Sequence, residues 1–336
     1  MNRIDLLRGH GKTSEPERRA HAGFFQTSHH SDLPARISEF INDSYQATDI
    51  DLIAVTGDLA ATGLTKDLQF ARAYFVSSNP RGVPRYPNLN FPKERLFLMP
   101  GNHDRFQYGG ILSNGLGEAI SPGGIEFDDV FSDFWAQRSV GYCVAAMDIL
   151  SHSNSAPKTT VIAADFCLKT KAEAEGWTDG VPGGYAGQGF ANPKVLNALK
   201  SATQKKKEEG AEVIVWLLHF PPLGLNDLSH DERSLRLIDS ESVMQTARDT
   251  GVALILSGHL HRNCCLPDQG FVRIWCAGSA AIRGAKNFQL HEVSLHSPSP
   301  PWIAAQRKTY TLRRVLNEGF QFQEDVGDRI SHAWRI

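Results

Sequence analysis

Short apolar runs that each end in a polar turn constrain the fold of this 336-residue chain more than any other feature of its sequence. Each run has the length of a strand and is apolar at nearly every position, so we expect strands buried on both faces of a sheet. The runs cover residues 50–56, 95–99, 213–218, 252–256 and 271–276.

Amphipathic helical patterns lie between these runs. Pro193 stands at the first position of one pattern, which places Val195 and Leu199 on one stripe, and Gly251 follows the end of another as a C-terminal cap. Strands that alternate with helices are typical of an α/β fold. The predicted helices cover residues 33–45, 66–76, 193–209 and 239–250.

Composition limits the classes of partner. Lysine and arginine number 35 against 37 aspartates and glutamates, a formal net charge of -2. This balance gives no electrostatic reason for broad nucleic-acid or membrane-surface binding. The chain shows neither an apolar stretch of membrane-spanning length nor the apolar core of a signal peptide. Its five cysteines form no C-x-x-C pair, which argues against disulfides and thiolate zinc sites. We therefore expect a cytoplasmic protein.

Two regions depart from the alternation in what we predict to be one domain, residues 1–336. Residues 105–158 are rich in glycine and aromatic residues and are predicted to form an insertion or cap over the mouth of the fold. Its aromatic side chains could stack on a nucleobase or pack into a small core of their own. After about residue 297 the sequence alternates as strands do, which predicts terminal strands.

Residues of metal-binding type follow four of the predicted strands: Asp58, Asn102, His219, and His259 with His261. Residues beyond the carboxyl ends of strands in an open α/β sheet face one crevice, so we expect these to converge. Their mixed nitrogen and oxygen atoms suit Mn, Fe, Zn, Co or Ni better than Ca or Mg alone. Each residue alone has a simpler reading as a turn, a helix cap or a buried histidine, but their recurrence at strand ends predicts a site.

The motifs resemble those of the calcineurin-like metallophosphoesterase superfamily, whose pattern is D-x-H, G-D, G-N-H-[DE], a single H and G-H-x-H. The chain has Gly57-Asp58, GNHD at 101–104, His219, and GHLH at 258–261. The similarity extends to about residue 295. It implies a four-layer α+β arrangement, with two stacked mixed β-sheets flanked by helices and a dinuclear metal centre between them.

The resemblance also implies a role for each ligand. Asp58 would bridge two divalent transition metals, Asn102, His219 and His259 would complete one metal site, and His261 would serve the other. Two further residues of GNHD would be catalytic rather than ligating. His103 would lie near the scissile phosphate, stabilise developing charge and help to protonate the leaving oxygen, while Asp104 would orient His103.

The first family motif, D-x-H, has no complete match before residue 58. Its best positional match is Asp5-Leu6-Leu7, with leucine in place of histidine, so Asp5 is the predicted ligand there. His10, His29 and His30 are substitutes for the missing histidine or simply surface residues. A degenerate first site would leave one metal instead of two.

The resemblance implies hydrolysis of a small phosphate ester by a hydroxide formed at the metal pair, with a phosphodiesterase favoured over a monoesterase. The incomplete D-x-H motif leaves a second hypothesis open, a metal-depleted binding or scaffold module. A nuclease is a third and less favoured possibility, and no membrane partner is expected. Arg105 and Arg262 directly follow two site motifs and either contact phosphate or are solvated loop residues.

Overall fold

The computed structural model describes most of the chain. The described residues are 33–45, 49–60, 63–76, 88–89, 91–105, 125–151, 156–167, 188–229, 231–260, 263–267, 272–278, 289–299, 302–315 and 319–335.

Helices and strands alternate through much of this part of the chain. The helices are α1 (Leu33–Ser44), α2 (Thr65–Val76), α3 (Asn102–Arg105), α4 (Glu126–Val130), α5 (Pro193–Glu208) and α6 (Ser240–Asp249). The strands are β1 (Ile53–Val55), β2 (Leu96–Leu98), β3 (Ser139–Gly141), β4 (Val144–Asp148), β5 (Thr159–Ala164), β6 (Gly189–Phe190), β7 (Val213–Leu218), β8 (Leu237–Ile238), β9 (Leu254–Ser257), β10 (Cys264–Pro267), β11 (Arg273–Cys276), β12 (Gln289–Ser299), β13 (Trp302–Val315), β14 (Gly319–Glu324) and β15 (Ile330–Arg335).

A mixed seven-stranded sheet forms the centre of the fold. Its strand order is β10-β11-β9-β7-β5-β4-β3. The four middle strands, β11, β9, β7 and β5, run parallel, and antiparallel strands complete both edges. The carboxyl ends of the parallel strands therefore lie along one edge, where the predicted site residues follow them.

Two helices cover one face of this central sheet. Helix α5 begins at Pro193 after Asn192, whose side-chain oxygen accepts a hydrogen bond from the Lys194 N–H at 2.9 Å, a regular N-cap. The apolar stripes of α5 and α6 pack on alternate residues of the strands and bury them from water. This core includes Val195, Leu199, Ala202, Val243, Met244, Ala247, Ile162, Trp216 and Leu218.

The opposite face of the central sheet packs against further β-structure. The parallel pair β1–β2 and the C-terminal sheet both bury side chains there, against the residues of β5 and β7 that alternate with the helix-facing ones. This arrangement explains why β7 is apolar and buried at every position. The stacked mixed sheets with helices confirm the predicted fold class. This second core includes Leu96, Leu98, Val161, Ala163, Val215, Leu217, Ile303, Ala305 and Trp334.

The C-terminal sheet is organised around the long strand β13. Strand β12 pairs antiparallel along one side of it. On the other side, residues 302–307 of β13 pair with β15 and residues 310–315 pair with β14. One strand thus holds three partners.

Residues 125–151 of the segment predicted as an insertion belong to the main fold. They supply α4 and the edge strands β3 and β4 of the central sheet. Phe127, Phe131 and Phe134 are fully buried in the second core, and so they are not available to stack on a base. Residues 106–124 and 152–155 of the segment lie outside the described chain. None of the described helices is long and apolar enough to span a membrane.

Candidate functional site

Four loops that follow parallel strands meet at the candidate site. β1 and β2 are parallel neighbours, as are β7 and β9, so their carboxyl ends lie side by side. The Met99 N–H donates to the Val55 carbonyl at 3.3 Å, and the Gly258 N–H donates to the His219 carbonyl at 3.1 Å. Backbone hydrogen bonds therefore join the strand ends in pairs, next to the segments that carry the polar side chains.

The backbone of these loops adopts conformations that are costly for most residues. Gly57 has φ of 101°, and a Cβ placed on it would lie 2.6 Å from the backbone nitrogen of Gly101. Asp58 and His259 have φ of 56° and 68°, in the left-handed region that non-glycine residues rarely occupy. Strain of this kind persists only where surrounding contacts hold it, and it is common at functional sites.

His219 occupies the centre of the site and is buried. Its Nδ1 lies 2.7 Å from the carbonyl oxygen of Thr56. Because a carbonyl can only accept, we assign the proton of a neutral His219 to Nδ1, and Nε2 then presents a lone pair. A backbone carbonyl on the far nitrogen is also the usual orienting partner of a metal-ligating histidine.

Acceptor atoms converge on the Nε2 of His219. It lies 2.8 Å from Asn102 Oδ1, 3.1 Å from His259 Nδ1 and 3.5 Å from Asp58 Oδ2. Of the three atoms that face His219 Nε2, only His259 Nδ1 can carry a proton. The two oxygens face it with lone pairs. The ligand atoms of Asp58, His219 and His259 all lie within 4.8 Å of one another. A carboxylate, an amide oxygen and two imidazoles could hold a divalent transition metal here.

The carboxyl group of Asp58 is poised to be ionised. Burial disfavours its charge, but His219, His103 and His259, whose imidazoles are positively charged when protonated, and a backbone hydrogen bond lower its pKa to about 2. That bond runs from the His103 N–H to Oδ1 at 3.0 Å, while Oδ2 faces His219. The two oxygens of Asp58 thus face different neighbours.

Asp104 binds the backbone of two loops. Its carboxyl group accepts N–H bonds from Leu59 at 3.1 Å, Ala60 at 2.8 Å and Gly101 at 2.9 Å. Burial and the charge of Asp58 raise the pKa of Asp104 to about 7 despite these three bonds. Asp104 therefore connects the loop after β1 to the loop after β2, and its predicted orientation of His103 stays a prediction.

His103 lies in α3, between Asn102 and Asp104, and is partly exposed. Asp5, His261 and Arg262, together with His10, His29 and His30, lie outside the described residues, so their predicted roles stay predictions.

Arg105 fits neither of its two predicted environments. Its side chain is fully buried, so it is not a solvated loop residue, and its guanidinium binds carboxylates of the protein rather than facing a substrate. Nε and Nη2 donate to Asp165 at 3.0 and 2.7 Å, and Nη1 and Nη2 donate to Asp128 at 3.0 and 2.9 Å. The ring of Phe127 lies 5.2 Å from the guanidinium carbon.

Arg105 thus joins α3, which carries Asn102 and His103, to α4 and to the segment after β5. The sequence does not predict Asp128 and Asp165 as partners, because they lie 23 and 60 residues from Arg105 and form no motif with it. Nor does it predict the role of Phe220, whose ring packs against His259 with centroids 4.5 Å apart. The one signal for Phe220 in the sequence is its position, as an aromatic residue directly after His219.

Solved structures resemble the chain at a distance. GAP50, described as the anchor in the inner membrane complex of Plasmodium, has 14% identity, covering 88% of this chain and 84% of its own, with a TM-score of 0.42. The phosphopantetheinyl hydrolase of Mycobacterium tuberculosis has 14% identity, covering 74% and 85%, with a TM-score of 0.42. A dimetal phosphatase from Danio rerio has 11% identity, covering 68% and 71%, with a TM-score of 0.37. These similarities are too remote to carry functional information, and no curated protein matches the chain.

A family model gives the assignment that single structures do not. The model of the calcineurin-like phosphoesterases matches residues 26–263, more than two thirds of the chain and all four described ligand positions. Proteins of this family are phosphoesterases that normally bind divalent metals. The chain therefore belongs to the calcineurin-like phosphoesterase family.

Proposed function

We propose that this protein is a metal-dependent hydrolase of phosphate esters, in which Asp58, Asn102, His219 and His259 hold one ion of a dinuclear centre. One observation carries the proposal: the lone pair of His219 Nε2 faces acceptor oxygens of Asn102 at 2.8 Å and Asp58 at 3.5 Å. Acceptors this close repel one another unless a cation or proton lies among them.

The second ion of the proposed centre would use the remaining oxygen of Asp58 together with His261. The family-model match begins at residue 26, after Asp5, so the carboxylate of the first motif has two candidates. Asp5-Leu6-Leu7 lies before the match, and Asp32-Leu33-Pro34 lies within it, each without the motif's histidine. The proposed metals are Mn, Fe, Zn, Co or Ni, and the second site is weakened by the missing imidazole.

When bound, the ions would act as Lewis acids toward phosphoryl oxygens and lower the pKa of a bound water. The protein's own contribution begins with Asp58, whose pKa of about 2 keeps it charged at neutral pH and ready to bind cations. The Thr56 carbonyl fixes the ring of His219 with Nε2 toward the site. Both side chains are therefore held in the state that metal binding requires.

His103 is the proposed general acid. It follows a proposed ligand in sequence and is partly exposed, so it is accessible from solvent beside the site. The His103 N–H donates to Asp58 at 3.0 Å, which fixes the start of its side chain relative to the ligands. We propose that its imidazole stabilises charge on the phosphoryl group and gives a proton to the leaving oxygen.

Metal analysis combined with kinetics tests these assignments. Asp58→Ala should lose bound metal and activity together, because it removes the only described carboxylate among the ligands. His103→Ala should lower kcat about 10²–10⁴-fold, the usual contribution of a general acid, while metal per chain stays near the wild-type value. Loss of metal in His103→Ala would refute its role as an acid outside the ligand set.

The substrate class is proposed to be a small phosphodiester. A panel of bis-p-nitrophenyl phosphate, cyclic nucleotides, p-nitrophenyl phosphate and single-stranded DNA, assayed with Mn²⁺, tests it. Higher kcat/KM on the diesters supports a phosphodiesterase, and higher values on the monoester reject that subclass without affecting the metal site. Preference for DNA would favour the nuclease that the net charge of -2 argues against.

A scaffold without metal is the alternative, and the incomplete D-x-H motif is the observation that favours it. Elemental analysis of the purified chain separates the hypotheses. Two metals per chain support the dinuclear enzyme, one supports a single-ion centre at His219, and none supports the scaffold.

A further inference from the structure

Buried polar atoms that lack a hydrogen-bond partner among the described residues are concentrated at one interface. Most lie where the β9–β11–β10 side of the central sheet meets the C-terminal sheet. A buried polar group without a partner is costly, so a group of them marks a place where a ligand or water is needed. They include side-chain atoms of Gln289, His291, Arg307 and Thr311.

Arg307 is the charged member of this group. Its side chain is 1% exposed, and Nη2 donates to Asp328 Oδ1 at 2.9 Å. Nε and Nη1 are buried and have no partner in the part of the chain that the structure describes. The Trp275 ring lies 5.9 Å from the guanidinium carbon. Asp328 is 28% exposed and also accepts a hydrogen bond from the side-chain amide of Asn263. It accepts a hydrogen bond from only one nitrogen of the Arg307 guanidinium among the described contacts.

His291 lies on the same face as Arg307. It is opposite Thr309 in the β12–β13 pairing, and Arg307 is opposite Val293, which places both side chains on the side that faces the central sheet. The Nε2 of His291 is buried without a described partner. One pair further along this face, Gln289 is opposite Thr311, and both have an unpartnered side-chain oxygen.

The unpartnered nitrogens of Arg307 favour a ligand that carries acceptor atoms. Burial, followed by the positive charge of Arg307, lowers the pKa of His291 to about 3 against the opposing charge of Asp328, so the imidazole beside them is neutral. Asp328 balances the charge of Arg307 but accepts a hydrogen bond from Nη2 alone, so Nε and Nη1 keep their donor hydrogens. An oxyanion beside either nitrogen would accept such a bond, since charge-assisted bonds from guanidinium to such anions are short and strong.

We propose that Arg307, with His291 beside it, forms a buried binding site for a small tetrahedral oxyanion of the sulfate or phosphate type. It is separate from the proposed metal ligands and does not depend on the proposed function.

Calorimetric titration of sulfate into metal-free Asp58→Asn protein tests the proposal without anion binding at the metal centre. We expect saturable binding of one sulfate per chain. Arg307→Met should weaken it at least about tenfold, because the charged donors are lost. Lys308→Met is the matched control, since it removes a positive charge from the next position of the same strand. Lys308 is 38% exposed and paired with Glu292, so sulfate affinity should stay within about twofold.

Two results would overturn the proposal: no saturable binding of sulfate, or equal weakening by Arg307→Met and Lys308→Met. If Arg307→Met does not fold, crystals of the wild-type protein in selenate decide the question. Anomalous density within hydrogen-bond distance of Arg307 Nε or Nη1 supports the site. Density elsewhere, or none, refutes it.

Discussion

Replacing Arg105 by methionine tests how strongly the candidate site depends on a buried ion-pair network. The side chains of Arg105 and Asp165 are both fully buried, and that of Asp128 is 31% exposed. Methionine fills much of the same space but offers no donor. The substitution therefore leaves the Asp165 carboxylate buried without its cation, while Asp128 can turn partly to water.

The expected cost follows from this asymmetry. Removing one partner of a buried pair typically destabilises a protein by about 3–5 kcal/mol, because the other charge stays buried and unpaired. Asp128→Asn should cost only about 1 kcal/mol, since Arg105 keeps its charge and both bonds to Asp165. The double variant Arg105→Met/Asp165→Leu should be more stable than Arg105→Met alone, because no uncompensated carboxylate is left.

Urea unfolding measured by circular dichroism gives the free energies. Arg36→Met is the matched control, because it removes an arginine from an exposed helical pair with Glu39 and should cost at most about 0.5 kcal/mol. A cost for Arg105→Met below about 1 kcal/mol would refute the reasoning. So would a double variant less stable than Arg105→Met, since the buried Asp165 carboxylate without its cation would then not be the cause.

Two further predictions concern the site loop and the acid limit of stability. Gly57→Ala should destabilise the protein by at least about 1–3 kcal/mol in urea unfolding and should lower its metal content. The reason is that a φ of 101° and the close approach of Gly101 leave no room for a Cβ. Wild-type stability and metal content in this variant would contradict the prediction. Burial opposes ionisation of Asp133, but hydrogen bonds from Lys93 and Arg72 lower its pKa overall. A carboxyl pKa depressed in the folded state stabilises above the unfolded value of about 4, and the effect is lost on acidification. The wild type should therefore lose more stability than Asp133→Asn between about pH 5 and 3, and equal losses would contradict the assignment.

The sequence predicted the elements whose burial pattern is strong within one segment. The run 213–218 became β7 without change, because a strand buried on both faces is apolar at every position. The pattern at 193–209 became α5 to within one residue, because its first-position proline and its apolar stripe agree. The strand β5, Thr159–Ala164, was missed although it is fully buried. Its threonines and alanines are polar or small, and only its neighbours in the sheet make the position a core position.

The site shows the same difference between features encoded within one segment, which the sequence predicts, and contacts between distant segments, which it does not. Asp58, Asn102, His219 and His259 lie close together as predicted because each lies at the start of the loop that follows a strand, so local sequence and fold class suffice to bring them together. The partners that orient them are distant in sequence. Thr56, whose carbonyl fixes the tautomer of His219, is 163 residues away, and any residue with a carbonyl would do the same. A contact made by the backbone leaves no signal in the sequence.

The contacts of Asp104 show that a residue within a catalytic motif can have a structural role. In the sequence it stands beside the proposed general acid, yet its carboxyl group holds two N–H groups of residues 59–60 and one of Gly101. These bonds connect the loop that carries Asp58 to the loop that carries Asn102, and so they fix the distance between two proposed ligands. Substitution of Asp104 would therefore disturb the proposed metal site even if His103 were unaffected. A loss of activity in such a variant is not by itself evidence of proton transfer, and metal content has to be measured with it.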